Sequence, residues 1–164
     1  MKIRHLLKEL FSFITLTVKS GPLKGKRLIA TSGGKFLSGR HEPYKTDALV
    51  KNFSKGEIFY DIGAHIGYFS AIASVLNEGT GAVIAFEPRP MNARFFRRHM
   101  KLNGIRGVTL YEAAVGEYEG EVLFDTAHGS ATGMVSATGD LAVKQVSVSK
   151  LVERGEIPAP TFVK

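Results

Sequence analysis

Cysteine and tryptophan are absent from this 164-residue chain, and proline occurs only six times. Without cysteine there is no disulfide, no Cys-based zinc site and no thiol nucleophile. The chain is compatible with a reducing compartment, and a cytoplasmic location is expected. No run of eighteen uncharged apolar residues occurs, so no membrane-spanning helix is expected. No block of five like charges appears either, and the net charge of +7 reads as a dispersed, solvated basic surface. Eighteen glycines follow no triplet period, which excludes a collagen-like chain. Hydrophobic residues at 44% and charged residues at 23% exclude a wholly disordered one. What remains is a globular unit of about one domain's length.

The charge is unevenly placed. Residues 1–55 hold twelve Lys and Arg against three acids, whereas residues 56–164 hold ten against twelve. Two regions are expected accordingly: a basic N-terminal cap of helices and short strands over 1–55, and a ligand-binding body over 56–164. Near the start, Leu6, Leu7, Leu10, Phe11 and Ile14 recur at helical spacing and predict a short amphipathic helix. Lys8 and Glu9 break the apolar core that a signal peptide would need. Peripheral membrane contact through this helix is the alternative to packing on the body.

From residue 56 the pattern becomes an alternation. Ile58–Ile62 reads as a strand, 67–76 as a helix, Ala82–Phe86 as a strand, 91–102 as a helix and 108–114 as a third strand. Short turns between alternating strands and helices mean βαβ units and a parallel sheet. Beyond Gly116, residues 121–125 and 143–148 predict two extended segments around a Gly/Ser/Thr-rich stretch, followed by a short helix at 149–154. Thr161 to Lys164 reads as the beginning of a further strand.

The chemistry concentrates at Tyr60-Asp61-Ile62-Gly63-Ala64-His65-Ile66-Gly67-Tyr68. An acid closes a strand, a glycine turn follows, and a helix opens. Ligands of open α/β sheets lie across the carboxyl ends of the strands. A dinucleotide site needs a central glycine in this turn, where His65 stands. Asp61 would repel a pyrophosphate but suits a cationic ligand, which favours S-adenosylmethionine, a sulfonium without phosphate, over NAD. Twenty residues beyond Gly67, Glu87 closes the second strand in Phe86-Glu87-Pro88, the place for an acid that accepts ribose hydroxyls.

With these residues the chain resembles the FkbM-type S-adenosylmethionine-dependent methyltransferases, of the class I methyltransferase fold. The resemblance runs from about residue 20 to the end. It takes in Ser20 to Gly25, Gly39 to Pro43, the Asp61–Tyr68 turn, Phe86-Glu87-Pro88, Asn92, Asn103, Ala114-Val115-Gly116 and Ser149-Lys150-Leu151. It implies a Rossmann-like parallel sheet with flanking helices. It also implies that Asp61, Gly63, Ala64, His65, Gly67 and Tyr68 shape the methionine end of the cofactor site. Glu87 would hold the ribose, and Ala114 and Val115 would lie near the adenine. The family often has Asn where this chain has His65, a position that serves through its backbone.

The reaction implied is methyl transfer to a hydroxyl of a sugar or another small metabolite. Alignment and exclusion of water carry most of such a reaction, and a base or a metal would assist a hydroxyl acceptor. Candidate acceptor-side residues are His65, Glu112, Asp125 and His128, none of them with an evident partner in the sequence. No metal ligands are assigned.

Two other classes compete with this reading. Arg94, Arg97, Arg98 and Lys101 form a basic stripe that a nucleic-acid-binding module would use, but a stripe opposite an apolar face is ordinarily the solvated side, and no nucleic acid is expected. A non-catalytic assembly partner is the other. In the class I fold the fourth strand lies beside the first, and this sequence stops where that fourth strand would begin. The chain is therefore expected to be an N-terminal part of such an enzyme, truncated before the fourth core strand and with the first strand left unpaired on one edge.

Overall fold

The computed structural model of the chain describes Phe11, residues 13–126 and residues 133–164. The stripe of Leu6, Leu7 and Leu10 lies outside those residues. Phe11 and Ile14, counted in the same stripe, are exposed and precede the first strand rather than continuing a helix.

The N-terminal layer begins with β1 (Thr15–Thr17) and β2 (Arg27–Ile29), an antiparallel pair. A single 3-10 turn (Ala30–Ser32) follows, then α1 (Gly34–Ser38) and α2 (Pro43–Asn52). Pro43 opens α2 where a missing amide proton costs nothing.

The central sheet is built from β3 (Ile58–Ile62), β4 (Ala82–Phe86), β5 (Val108–Tyr111) and β10 (Phe162–Val163). All its pairings are parallel, in the order β10-β3-β4-β5. The helix α3 (Tyr68–Asn77) connects β3 to β4, and α4 (Pro90–Leu102) connects β4 to β5. The α/β class and the parallel sheet with flanking helices are thus as expected.

The strands read as continuous apolar runs because both faces of the sheet are covered. Phe59, Val83 and Ala85 face one core, shared with α3, α4 and the N-terminal layer through Val18, Leu28, Ile29 and Phe36. Tyr60, Ile84 and Phe86 face the other, with Val146, Leu151 and Ile157. Alternate residues of one strand therefore belong to different cores, as the pleat requires.

The second sheet contains β6 (Ala114–Val115), β7 (Gly120–Asp125), β8 (Met134–Val135) and β9 (Leu141–Val146), in the order β6-β9-β7-β8. The β7–β9 pair is the antiparallel hairpin expected from the sequence, with β8 added on its outer edge. The short helix α5 (Val148–Glu153) follows it.

Two expectations are corrected. The strand expected over 108–114 stops at Tyr111, and Ala114 and Val115 pair instead with β9. Tyr111 is paired with Phe86, the last residue of β4, so the chain beyond it must find its ladder partners elsewhere. Nor is the first core strand left with an unpaired edge. Phe162 and Val163 lie beside Phe59 and Tyr60, and the Ile62 amide donates to the Lys164 carbonyl at 3.0 Å. The Phe162 ring seats this strand against Phe53 and Phe59, at centroid distances of 5.6 and 5.9 Å.

Candidate functional site

The turn between β3 and α3 is held from three sides. The amides of Gly63 and Ala64 both donate to the Phe86 carbonyl at 2.9 Å, which fastens the turn to the end of β4. Gly63, His65 and Gly67 all have positive φ, of 76°, 53° and 83°. His65 pays a cost there that glycine or asparagine would largely avoid. At Gly67 a second constraint applies: a Cβ would stand 2.7 Å from the Phe96 ring and 2.8 Å from the Met100 methyl. Only glycine lets α3 and α4 come this close.

Asp61 is fully buried at the end of β3. One carboxylate oxygen accepts the Ser70 amide at 3.0 Å and the Ser70 hydroxyl at 2.6 Å. The other accepts from the Lys164 ammonium at 3.0 Å. The cation facing Asp61 is thus one of the chain's own, and the carboxylate fastens the first turn of α3 to the tips of β3 and β10. That placement is favourable at a helix N-terminus.

Glu87, at the end of β4, is also buried. Its Oε2 accepts the His65 amide at 2.8 Å, and its Oε1 accepts the Arg89 amide and the Asn92 side-chain amide, each at 3.0 Å. Burial pushes the carboxyl pKa above its usual value, against the opposing pull of these donors. A carboxylate has about four lone-pair positions. Among the described residues three are filled, and the remaining capacity is on Oε2.

Glu87 opens onto a cavity of about 280 Å³ at the carboxyl ends of β3 and β4. Gly63, His65, Ala114 and Val115 line it as well, and Phe124 and Met134 of the second sheet wall its far side. This is the crevice in which open α/β sheets take ligands. A model of the methyltransferase FkbM domain matches residues 61–162, from Asp61 to the last strand. The chain belongs to the FkbM methyltransferase family.

Among its relatives, the hexuronic acid methyltransferase AglP of Haloferax volcanii is 29% identical over 119 residues, covering 71% of this chain and 47% of that protein. The chain thus spans about half the length of that curated relative. Among solved structures, an FkbM methyltransferase from Methylobacillus flagellatus aligns with a TM-score of 0.47 at 22% identity, over 68% of this chain and 26% of that one. A precorrin-6y C5,15-methyltransferase from Geobacter metallireducens aligns with a TM-score of 0.42 at 29% identity, over 49% of this chain and 42% of that one.

Within this FkbM chain the nine residues singled out from the sequence divide into two groups. Gly63, His65, Glu87, Ala114 and Val115 line the cavity. Asp61, Ala64, Gly67 and Tyr68 are buried behind the turn and shape it from below. His65 reaches Glu87 through its backbone amide, while its ring lies 5.6 Å from the Phe36 ring at an interplanar angle of 27°. Phe36 in turn lies 4.0 Å from His41, so the N-terminal layer covers the outer side of the turn. The buried Tyr68 hydroxyl lacks a hydrogen bond of good geometry among the described residues, although Thr46 is nearby; the Thr46 hydroxyl donates to the His41 carbonyl instead.

The acceptor-side candidates scatter. Glu112 is exposed and paired with Arg97, and Asp125 ends β7. His128 lies outside the described residues. Arg94, Arg97 and Lys101 are exposed on the outer face of α4.

Four contacts around the site lie outside the expectations from the sequence: Ser70 and Lys164 on Asp61, Phe124 in the cavity wall, and His99 behind the turn. Lys164 and Asp61 are 103 positions apart, and no local pattern joins them. For His99 a signal did exist, since it follows Asn92 and Phe96 at helical spacing on α4.

Proposed function

We propose that this chain binds S-adenosylmethionine across the ends of β3 and β4 and serves transfer of its methyl group to a hydroxyl of a sugar or another small metabolite. The observation that carries the reading is the acceptor capacity of Glu87 at the wall of the cavity that the described residues leave unfilled. A ribose hydroxyl is the donor such an oxygen accepts, and a phosphate in its place would be repelled. The acceptor class is supported by family membership and by the hexuronic acid methyltransferase among the relatives.

In this reading the bare backbone of Gly63 leaves room for the ligand, and Ala114 and Val115 provide a small apolar floor for the adenine. Asp61 and Gly67 act from behind: the first anchors α3 through Ser70, and the second lets α3 and α4 close on one another. The cofactor supplies a methyl group made electrophilic by its sulfonium. The chain's contribution is to orient that group and to exclude water around it.

Calorimetric titration with S-adenosylmethionine and S-adenosylhomocysteine, each in competition with NADH, tests the cofactor. Binding of both at about 1–100 µM, unaffected by NADH, is expected. Binding of NADH with neither of the others would overturn the reading. Methyl transfer to uronic-acid glycosides, compared with non-sugar alcohols, tests the acceptor class.

A further inference from the structure

One face of α4 carries Asn92, Phe96 and His99, and the C-cap Asn103 continues the stripe, at intervals of four, three and four residues. These intervals keep all four side chains on a single helical stripe. Each touches a different part of the site's support. Asn92 donates to Glu87 at 3.0 Å, and Phe96 closes on Gly67. Asn103 accepts the Arg27 amide at 2.7 Å and donates to the Arg27 carbonyl at 2.8 Å, so it pairs with β2 as a strand residue would.

His99 lies between these contacts and joins two of the regions they serve. Its Nδ1 is 2.9 Å from the Ile66 carbonyl, within the glycine turn. Its Nε2 accepts the Ile29 amide of β2 at 3.0 Å and lies 3.2 Å from the Ser32 hydroxyl. A carbonyl can only accept, so Nδ1 carries the proton; the Ile29 amide can only donate, so Nε2 is bare. The ring is 1% exposed, and its two nitrogens have complementary partners in just one neutral tautomer. The Phe95 ring lies 6.2 Å away between centroids at an interplanar angle of 72°, and Arg98 is the charged neighbour that acts on the imidazole.

We propose that His99 is a positioning residue for the cofactor turn, holding the Ile66 carbonyl and the Ile29 amide on one imidazole so that ligand affinity depends on docking of the β1–β2 layer. The inference rests on the cofactor reading of the cavity above. The physical reason is economy of order: the turn has three residues at positive φ, and it stays in its binding shape only if its free carbonyl is tied down. The tie runs to a strand that contacts no part of the cavity. Whatever loosens that layer therefore loosens the turn.

The test compares the full chain with His99→Leu, His99→Gln and Asn103→Ala, with Ile157→Ala, in the core on the other face of the sheet, as a control for general loss of stability. Glutamine carries a donor and an acceptor at nearly the imidazole spacing, and leucine carries neither. Hydrogen exchange at Ile29, Gly63, Ala64 and Gly67 is followed by NMR, and S-adenosylhomocysteine affinity by calorimetry. In His99→Leu, exchange at Ile29 and at the turn should rise together, and affinity should fall by about tenfold, the size expected for one lost buried hydrogen bond. Glutamine should restore affinity to within about threefold. Asn103→Ala, which touches β2 and not the turn, should raise exchange at both places, and it keeps the test open if His99→Leu does not fold. Ile157→Ala should lower the melting temperature with affinity held within about twofold. Unchanged turn exchange in both His99→Leu and Asn103→Ala, or an equal loss of affinity in Ile157→Ala, would overturn the proposal. Failure of the unaltered chain to bind S-adenosylhomocysteine would instead overturn the cofactor reading, while the exchange rates would still decide the coupling.

Discussion

The Asp61 carboxylate takes both the amide and the hydroxyl of Ser70, nine residues on, at 3.0 and 2.6 Å. One buried acid thereby ends a strand and starts a helix, and the glycine turn between them inherits its shape from this pair.

Removing the hydroxyl alone, in Ser70→Ala, leaves the amide and Lys164 on a buried carboxylate. Stability should fall by about 1–3 kcal/mol, the ordinary cost of a hydrogen bond lost by a charged group. Asp61→Asn should cost more, because its amide must turn a donor toward donors. Chemical denaturation of the two variants checks both the sign and the order.

Gly67 and Gly63 have nearly equal positive φ but unlike surroundings. A Cβ at Gly63 meets nothing within 4 Å, whereas one at Gly67 meets Phe96 and Met100 below 3 Å. Gly63→Ala should therefore cost about 1 kcal/mol, for backbone conformation alone. Gly67→Ala should cost about 2–4 kcal/mol, because overpacking is added. Melting temperatures should separate the two clearly, and ligand affinity should suffer in both.

Acid should weaken the fold through His99. Burial lowers its pKa from 6.5 to about 4, with the Ile66 carbonyl pulling weakly the other way. The unfolded chain then binds the proton more readily than the folded one, so stability rises with pH over this interval. The contribution is complete above about pH 6.5, declines on acidification and stops declining below about pH 4, for a total of about 3 kcal/mol. His99→Gln should flatten that part of the stability profile in urea titrations between pH 4 and 7.

Glu87→Gln should separate binding from folding. The substitution removes a charge that burial already disfavours, but it also turns an amide group toward the donors of His65, Arg89 and Asn92. S-adenosylhomocysteine affinity should fall at least tenfold, the magnitude of one hydrogen bond to a charged acceptor. The melting temperature should change by only a few degrees, measured on the same samples.

Much of the scaffold around these residues was legible in the sequence. Ile58–Ile62 and Ala82–Phe86 are strands with the bounds their apolar runs predict, and α4 begins one residue earlier than expected, at Pro90. Five of the nine site residues line the cavity, because turn chemistry and strand ends are local properties. The break at Tyr111 was not legible. Residues 108–114 contain no glycine, proline or other turn signal to mark a break, and only the end of β4 and the arrival of β9 divide them between two sheets.

Local sequence sets the alternation of strands and helices, the glycine turn and the two acids at the ends of β3 and β4. Each depends on residues within a few positions of one another, where periodicity, propensity and backbone freedom act directly. Tertiary structure decided which side of the turn each residue serves: Asp61 was turned inward to Ser70 and Lys164, and Glu87 outward to the cavity. It also made His99 the link between the turn and β2. The contacts of His99 with β2 and of Lys164 with Asp61 span 70 and 103 positions of chain. Only the packed sheet brings such groups within hydrogen-bond range, and burial then makes an unpaired polar atom costly.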